Sequence, residues 1–323
     1  MPRSASPKTE RTLDDARAQF ACDVRAGLTK PHQKELPSKY LYDELGTSLF
    51  EAITHLPEYG LTRADIRLLR DHARDIARVF DAPPVVSELG SGTGQKSRII
   101  LEALPSTRFY PIDLSEDALA ACKRELADLA AVSTVTADYF AGLAQVNAQR
   151  RDGERLLLLF LGSTIGNFER PCAREFLAEL RDRLQPGDAF LLGADLVKPV
   201  AQLITAYDDP AGVTAAFDLN LLGRINRELE GGFDLRAFEH QARYNESDRR
   251  IEMHLRSRID QSVTIALADL TVRFAEGESI WTESSHKFDA AELDAMAAEA
   301  GFSVHATWVD HEWPFAETLW IAA

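Results

Sequence analysis

Cysteine is scarce in this 323-residue chain: only Cys22, Cys122 and Cys172 occur, an odd number without any C-x-x-C spacing. That argues against a disulfide framework and against a structural zinc site. No apolar run is long enough to span a bilayer, and the opening residues, Met1 to Lys8, lack the apolar core of a signal peptide. A cytoplasmic protein with no membrane partner is expected. Positive charge is also in deficit: 36 Lys and Arg stand against 51 Asp and Glu, a formal net charge of −15. Binding to a phosphate backbone depends on Lys and Arg, so a nucleic-acid partner is not expected. No H-E-x-x-H or facial-triad spacing is present, so no metal is assigned, and His254, His286 and His311 read as surface or pocket-rim histidines. Internal repeats, low-complexity tracts and long linkers are absent as well. What is there is a composition 45% hydrophobic, enough to bury a large core as one or two domains. A monomer acting on a small molecule is the expectation.

The most informative segment is Val85-Val-Ser-Glu-Leu-Gly-Ser-Gly-Thr93, an apolar strand running into a glycine-rich turn with Glu88 just ahead of it. Apolar residues at Ile99, Ile100 and Leu104 predict a helix behind the turn, which would aim backbone N–H groups at a ligand. Gly90, Gly92 and Gly94 alternate, and Gln95 stands where a dinucleotide fingerprint needs its third glycine. Gln95 also separates Gly94 from Lys96, which breaks the Walker pattern. The E-x-G-x-G form left over is that of enzymes using S-adenosyl-L-methionine (SAM), where close backbone approach needs glycine. The next strand, Phe109 to Asp113, ends in a carboxylate about twenty residues beyond the glycines, placed to grip a ribose. A third strand, Ser133 to Ala137, ends at Asp138 and Tyr139, a place to read adenine.

Strand and helix patterns alternate from about Val85 to Val197, as a parallel sheet with crossovers requires. Leu156 to Leu161 reads as a strand buried on both sides, and Phe176, Leu177, Leu180 and Leu184 mark the helix after it. After Pro199 the pattern changes: Ile251, Met253 and Leu255, then Leu270, Val272 and Phe274, alternate with polar residues as antiparallel strands do. Helical spacing returns between Asp289 and Gly301, followed by two final strands. The expected fold class is α/β, a Rossmann-like class I methyltransferase sheet carrying an inserted α+β substrate-binding domain. The SAM-binding methyltransferase domain is expected over residues 1–199 and 287–323, the first 15 residues disordered, and the substrate-binding domain over 200–286.

Segments spread along the chain point further. Lys39 to Gly46 (KYLYDELG), Leu56 to Tyr59 (LPEY), Glu88 to Thr93, Gly162 to Asn167 (GSTIGN), Ala206 to Asp209 (AYDD) and Thr282 to Phe288 (TESSHKF) resemble the SAM-dependent L-histidine Nα-methyltransferases of ergothioneine biosynthesis. The resemblance implies that a methyltransferase domain and a substrate domain enclose histidine, whose amine receives three methyl groups to give hercynine. It further implies that Tyr42, Gly90, Lys96, Asp113, Asp138 and Tyr139 surround SAM, and that Tyr59, Asn167, Tyr207, Met253, Glu283 and Ser285 surround the amino acid. Asn167 and Tyr207 would hold the α-carboxylate and amine, Glu283 and Ser285 the imidazole nitrogens, and Met253 the ring. Tyr42 and the neighbourhood of Asn167 are the expected catalytic positions, on the route by which the amine sheds its proton.

One segment departs from the pattern. Where the family is expected to continue Leu-Pro-Glu-Tyr with Tyr-Pro, this chain has Gly60-Leu61, removing an aromatic and loosening the backbone. Two alternatives follow: an Nα-methyltransferase for another aromatic amino acid, such as a tryptophan derivative, and a non-catalytic SAM-binding protein.

Overall fold

The side chains of Leu156–Phe160 are all fully buried, which requires a strand covered on both faces. In the computed structural model, which describes residues 7–105 and 107–323, that strand lies in an eight-stranded sheet. Its neighbours are Val85–Leu89 and Ala189–Asp195, both parallel to it. Beyond Val85–Leu89 come Arg108–Asp113 and the short Ala131–Val132 and Val135–Thr136. Beyond Ala189–Asp195 the C-terminal hairpin, Phe315–Ala322 and then Phe302–Asp310, joins antiparallel. This is the expected α/β arrangement.

Alternation along each strand divides the core in two. Leu157 and Leu159 face Leu69, Ala73 and Ile76 of helix Leu61–Ala77, Ile100 and Leu101 of Gln95–Ala103, and Cys122 of Glu116–Glu125. Leu156, Leu158 and Phe160 face residues of Tyr139–Gln149, Arg170–Arg181 and Ala290–Ala300. The strand order reverses about Val85–Leu89, whose two partners follow it in opposite directions along the sheet. Ligands of open α/β sheets sit beyond the carboxyl ends of the strands at such a switch point.

The chain divides into two units, Gly60–Lys198 with His286–Ala323, which carries this sheet, and residues up to Tyr59 with Pro199–Ser285. The expected division put residues 1–59 with the sheet; the contacts put them in the other unit, for physical reasons. Lys34–Glu35 extends that unit's four-stranded sheet by pairing parallel with Ile280 and Trp281. Phe20 stacks on Tyr40 at 4.1 Å, with the Arg224 guanidinium over both rings. Asp43 caps helix Glu44–Thr54 through the N–H of Gly46 and also accepts from Asn220 and Arg227. The rest of this unit comprises helices Val200–Tyr207 and Val213–Leu229, the antiparallel pair Phe238–Asn245 and Arg250–Ser257, and the hairpin Gln261–Ile265 with Leu270–Phe274. Disorder was expected through residue 15; residues 1–6 lie outside the described residues, and helix Pro7–Leu28 begins directly after them. No helix among the described residues is long and apolar enough to cross a membrane.

Gly60 proves to be tight, not loose. It is buried, with φ −71° and ψ −16°, values open to any residue. A Cβ there would lie 2.2 Å from Cε3 of Trp313, whose indole N–H donates to buried Asp195 at 2.9 Å. Glycine is required because the Trp313 ring occupies the space. Gly60→Ala, which carries no backbone penalty, is therefore expected to destabilise the protein by about 1–3 kcal/mol in urea denaturation, through overpacking alone. An unchanged midpoint would contradict this packing account.

Candidate active site

In the sheet-bearing unit, Val85–Leu89 ends in a turn whose Gly90, Gly92 and Gly94 all have left-handed backbone, with φ of 71°, 51° and 81°. Side chains resist this region, so glycine at alternate positions is what allows the turn. Gly90 N–H donates to the Ile112 carbonyl at 2.8 Å, binding the turn to the next strand. Asp113, at that strand's end, accepts from Gly92 N–H at 3.1 Å and from Ser115 N–H at 2.9 Å, so it organises the turn. The Tyr139 hydroxyl lies 3.4 Å from where a Gly90 Cβ would stand. Burial and the nearby Asp113 charge push the Tyr139 hydroxyl up to about 12, so it is a donor at neutral pH. Gly90, Asp113 and Tyr139 are thus brought together. Asp138 is exposed and its carboxylate caps helix Tyr139–Gln149 by accepting from Ala141 N–H at 2.8 Å.

Lys96 turns elsewhere. Its ammonium pairs with Asp65 at 3.0 Å, and the same Asp65 oxygen accepts from Gly162 N–H at 3.0 Å. Asp65 is fully buried and so ties the helix after the glycine turn to the Gly162–Asn167 segment. Burial lowers the Lys96 pKa, yet Asp65, Glu88 and Glu317 outweigh it and leave the group raised. Glu88 is pushed up to about 8 by burial, against the opposing pull of the Ser97 hydroxyl and Lys96. Glu317 is raised well above the carboxylate range by burial and by Asp65. Asn167 lies exposed in the turn Thr164–Asn167 beyond Phe160.

The other unit gathers its candidates around the strand Ser279–His286. Glu283 and Ser285 are two residues apart on it and so share a face. The Tyr42 hydroxyl reaches Glu283 Oε1 at 3.4 Å, and the Tyr207 and Ser285 hydroxyls are 2.7 Å apart. Between these ends runs an arc of rings: Tyr42 meets Phe50 edge-on at 5.5 Å, Phe50 meets Tyr59 at 6.4 Å, and Tyr59 meets Tyr207 at 5.9 Å. Phe217 backs Tyr42 and Phe50 at 5.4 and 5.9 Å. Desolvation of its hydroxyl and the nearby Glu283 raise the Tyr42 pKa well above its usual value, so the hydroxyl is a donor toward Glu283, although the side chain as a whole is 37% exposed. Met253 is buried on the neighbouring strand, its carbonyl accepting from Thr282 at 3.0 Å. Five of the six residues expected around the amino acid therefore belong to this unit, and Asn167 belongs to the sheet-bearing one.

Residues 20–322 match the family described as histidine-specific methyltransferase, SAM-dependent. The chain belongs to this family. It is 44% identical to a histidine N-alpha-methyltransferase of Mycolicibacterium smegmatis, over 95% of this chain and 96% of that one. It is 43% identical to a histidine N-alpha-methyltransferase of Mycobacterium tuberculosis, over 92% and 93% of the two chains. It is also 36% identical to ergothioneine biosynthesis protein 1 of Neurospora crassa, over 61% of this chain and 23% of that one.

As a SAM-dependent methyltransferase the protein draws its methyl group from SAM, and the glycine turn fits that cofactor. A Cβ on Gly92 would meet no atom within 4 Å, so open space lies before this backbone.

Several contributors escaped the sequence reading. Asp65 falls among Leu61, Ala64, Leu68 and Leu69 on the buried stripe of its helix, and a carboxylate on an apolar stripe is itself a signal. Phe50 and Phe217 carried no signal beyond helical periodicity. In the T-E-S-S-H-K-F segment Glu283 and Ser285 line the ring of side chains, while Thr282 donates to the Met253 carbonyl. Lys287 pairs with Asp195 at 2.9 Å and Phe288 sits in the sheet core. Of the three histidines expected at the surface or a pocket rim, His311 is exposed, whereas His254 and His286 are buried, His254 with its ring parallel to Trp281 at 6.3 Å.

Glu88 provides a stability test. Its pKa is higher in the folded state than the unfolded value near 4.5, so the native state keeps a proton that the unfolded chain releases. That contribution is fully present below about pH 4.5 and is lost as pH rises through about 8. Glu88→Gln is expected to remove this share of the dependence: its melting temperature should overtake wild type as pH rises from 5 to 9, by about 2 °C or more. Parallel melting curves across that range would contradict a protonated Glu88.

Proposed function

We propose that the protein transfers methyl groups from SAM to the α-amine of L-histidine, three in succession, giving hercynine for ergothioneine biosynthesis. The observation that carries this reading is the pairing of Glu283 and Ser285 on one strand face, closed by the arc of Tyr42, Phe50, Tyr59 and Tyr207. A neutral imidazole has one donor and one acceptor nitrogen. The Glu283 carboxylate would accept from the donor, and Ser285 would donate to the acceptor while itself accepting from Tyr207. An apolar ring in the same place would leave these polar groups unpaired, a cost of about 1–3 kcal/mol each. Family membership and the names of its relatives support the same substrate.

SAM supplies an electrophilic methyl group when bound. The chain's own residues have to present a neutral amine in line with it, so proximity and orientation carry most of the rate. In this reading Gly90, Asp113 and Tyr139 hold the cofactor, with Tyr42 and Asp138 also among the residues around it and Lys96 acting through Asp65. Asn167 and Tyr207 hold the α-carboxylate and amine, and Met253 lines the ring pocket. Tyr42, protonated, fixes Glu283 and offers its ring face to the growing cation, worth about 0.5–2 kcal/mol. The amine's proton leaves to water near Tyr42 and Asn167. The same reading takes the enzyme to be a cytoplasmic monomer acting on a free amino acid, with a SAM-binding domain and a substrate-binding domain.

Incubation with SAM and an equimolar mixture of the proteinogenic amino acids should yield trimethylated histidine alone by mass spectrometry. Methylated tryptophan, or no product, would overturn the substrate assignment or the catalytic one respectively. Glu283→Ala should raise KM for histidine by about 10- to 100-fold, the loss of one hydrogen bond to a buried polar group. An unchanged KM would remove Glu283 from the imidazole site.

A further inference from the structure

His240 sits on strand Phe238–Asn245 with both ring nitrogens against acceptors. Nδ1 lies 2.7 Å from Asp218 Oδ2 on helix Val213–Leu229, and Nε2 lies 2.8 Å from the Tyr207 carbonyl. Neither side chain has solvent contact to speak of, at 1% and 0% exposure. A carbonyl oxygen and a carboxylate can only accept, whereas a neutral imidazole has a single N–H. A neutral ring would therefore press one lone pair against another in a buried site. The imidazolium satisfies both partners. Tyr207 is moreover the last residue of helix Val200–Tyr207, and a cation at a helix C-terminus is favoured.

We propose that His240, held as an imidazolium by Asp218, is a positioning residue for the amino-acid site. The two helices it joins carry the two flanks of the ring arc. Tyr207 ends one of them, with its ring against Tyr59 and its hydroxyl on Ser285. Phe217, next to Asp218, backs Tyr42 and Phe50 from the other. Fixing the Tyr207 carbonyl fixes the direction from which its side chain leaves the helix, and with it the Ser285 hydroxyl. The proposal rests on the reading of Tyr207 and Ser285 as substrate-binding residues. Burial pulls the His240 pKa down, but the hydrogen bond and charge of Asp218, the Tyr207 carbonyl and the nearby Asp208 lift it above its usual value. Asp218 against the ring and exposed Asp208 just past the helix end thus both favour the imidazolium, its cross-strand partner Leu255 is apolar, and the next residue of that strand toward its N-terminus, His254, also feels the Asp218 charge.

Three variants test this, with KM and kcat measured for the amino acid and affinity measured for S-adenosylhomocysteine. In His240→Asn the amide nitrogen can reach Asp218 but falls short of the Tyr207 carbonyl. In His240→Gln it extends to that carbonyl. His240→Asn should raise the amino-acid KM about tenfold, in line with one lost buried hydrogen bond, while His240→Gln restores most of it. In both, kcat and S-adenosylhomocysteine affinity should stay within about threefold of wild type, which also reports that the protein is folded. Asp218→Asn removes the charge that holds the ring protonated, so its KM should climb at lower pH than that of wild type. Equal KM values for the Asn and Gln variants, or a wild-type pH profile in Asp218→Asn, would overturn the positioning role. A wild-type protein that methylates a different amino acid would overturn the histidine reading alone, with the three variants then compared on that amino acid. A protein that methylates none would overturn both.

Discussion

Left-handed backbone at Gly90, Gly92 and Gly94 is the constraint on which the sheet-bearing unit's chemistry depends. It lets the chain turn sharply at the carboxyl end of the one strand whose neighbours run off in opposite directions, and it leaves open space before Gly92. The surrounding carboxylates have different duties. Asp113 spends two hydrogen bonds holding the turn in shape, and Glu88, buried behind it, is kept neutral and bonded to Ser97. Asp65 pairs with Lys96 and holds Gly162, coupling the turn to the segment that ends at Asn167. Burial pushes the carboxyl groups of Glu88 and Glu317 up from their usual range, which favours their uncharged forms in this acidic cluster.

In the proposed function the second unit has a different problem, which is to tell one aromatic amino acid from others. Hydrophobic walls alone discriminate poorly between rings of similar size, whereas a carboxylate and a hydroxyl placed on one wall penalise any ring that cannot pair with them. In the proposed reading half-buried Glu283 and buried Ser285 supply that pair, each in contact with a tyrosine hydroxyl. Behind the tyrosines stand residues with no part in the ring itself, Asp218 and His240 among them. Their strongest interactions are internal to the unit and buried.

Much of this was legible in the sequence. Strict alternation and near-continuous apolar runs gave the parallel strands, and the glycine spacing separated SAM from dinucleotides and from ATP. The strands after Phe238 could also be read, from Ile251, Met253 and Leu255. What escaped depends on partners distant in the chain. Lys34–Glu35 is a two-residue strand with no periodicity of its own, and only its pairing with Ile280 and Trp281 moves the N-terminal residues into the other unit. Lys96 carries nothing in sequence to show that Asp65, thirty-one positions earlier, claims its ammonium. Gly60 looked like slack in the chain because Trp313, which fills the space above it, lies near the other end of the sequence. Two misses were avoidable: Asp65 and Asp218 each sit on the buried stripe of a helix, a position where a carboxylate needs a reason.

The central proposal is that cofactor and amino acid are read by different residues, Asp113 for the cofactor and Glu283 for the amino acid. Calorimetric binding of S-adenosylhomocysteine to wild type, Asp113→Ala and Glu283→Ala tests it most directly. The account predicts affinity weakened about tenfold or more in Asp113→Ala, the loss of a charge-assisted contact, and wild-type affinity in Glu283→Ala. Wild-type affinity in Asp113→Ala, or a matching loss in Glu283→Ala, would contradict it.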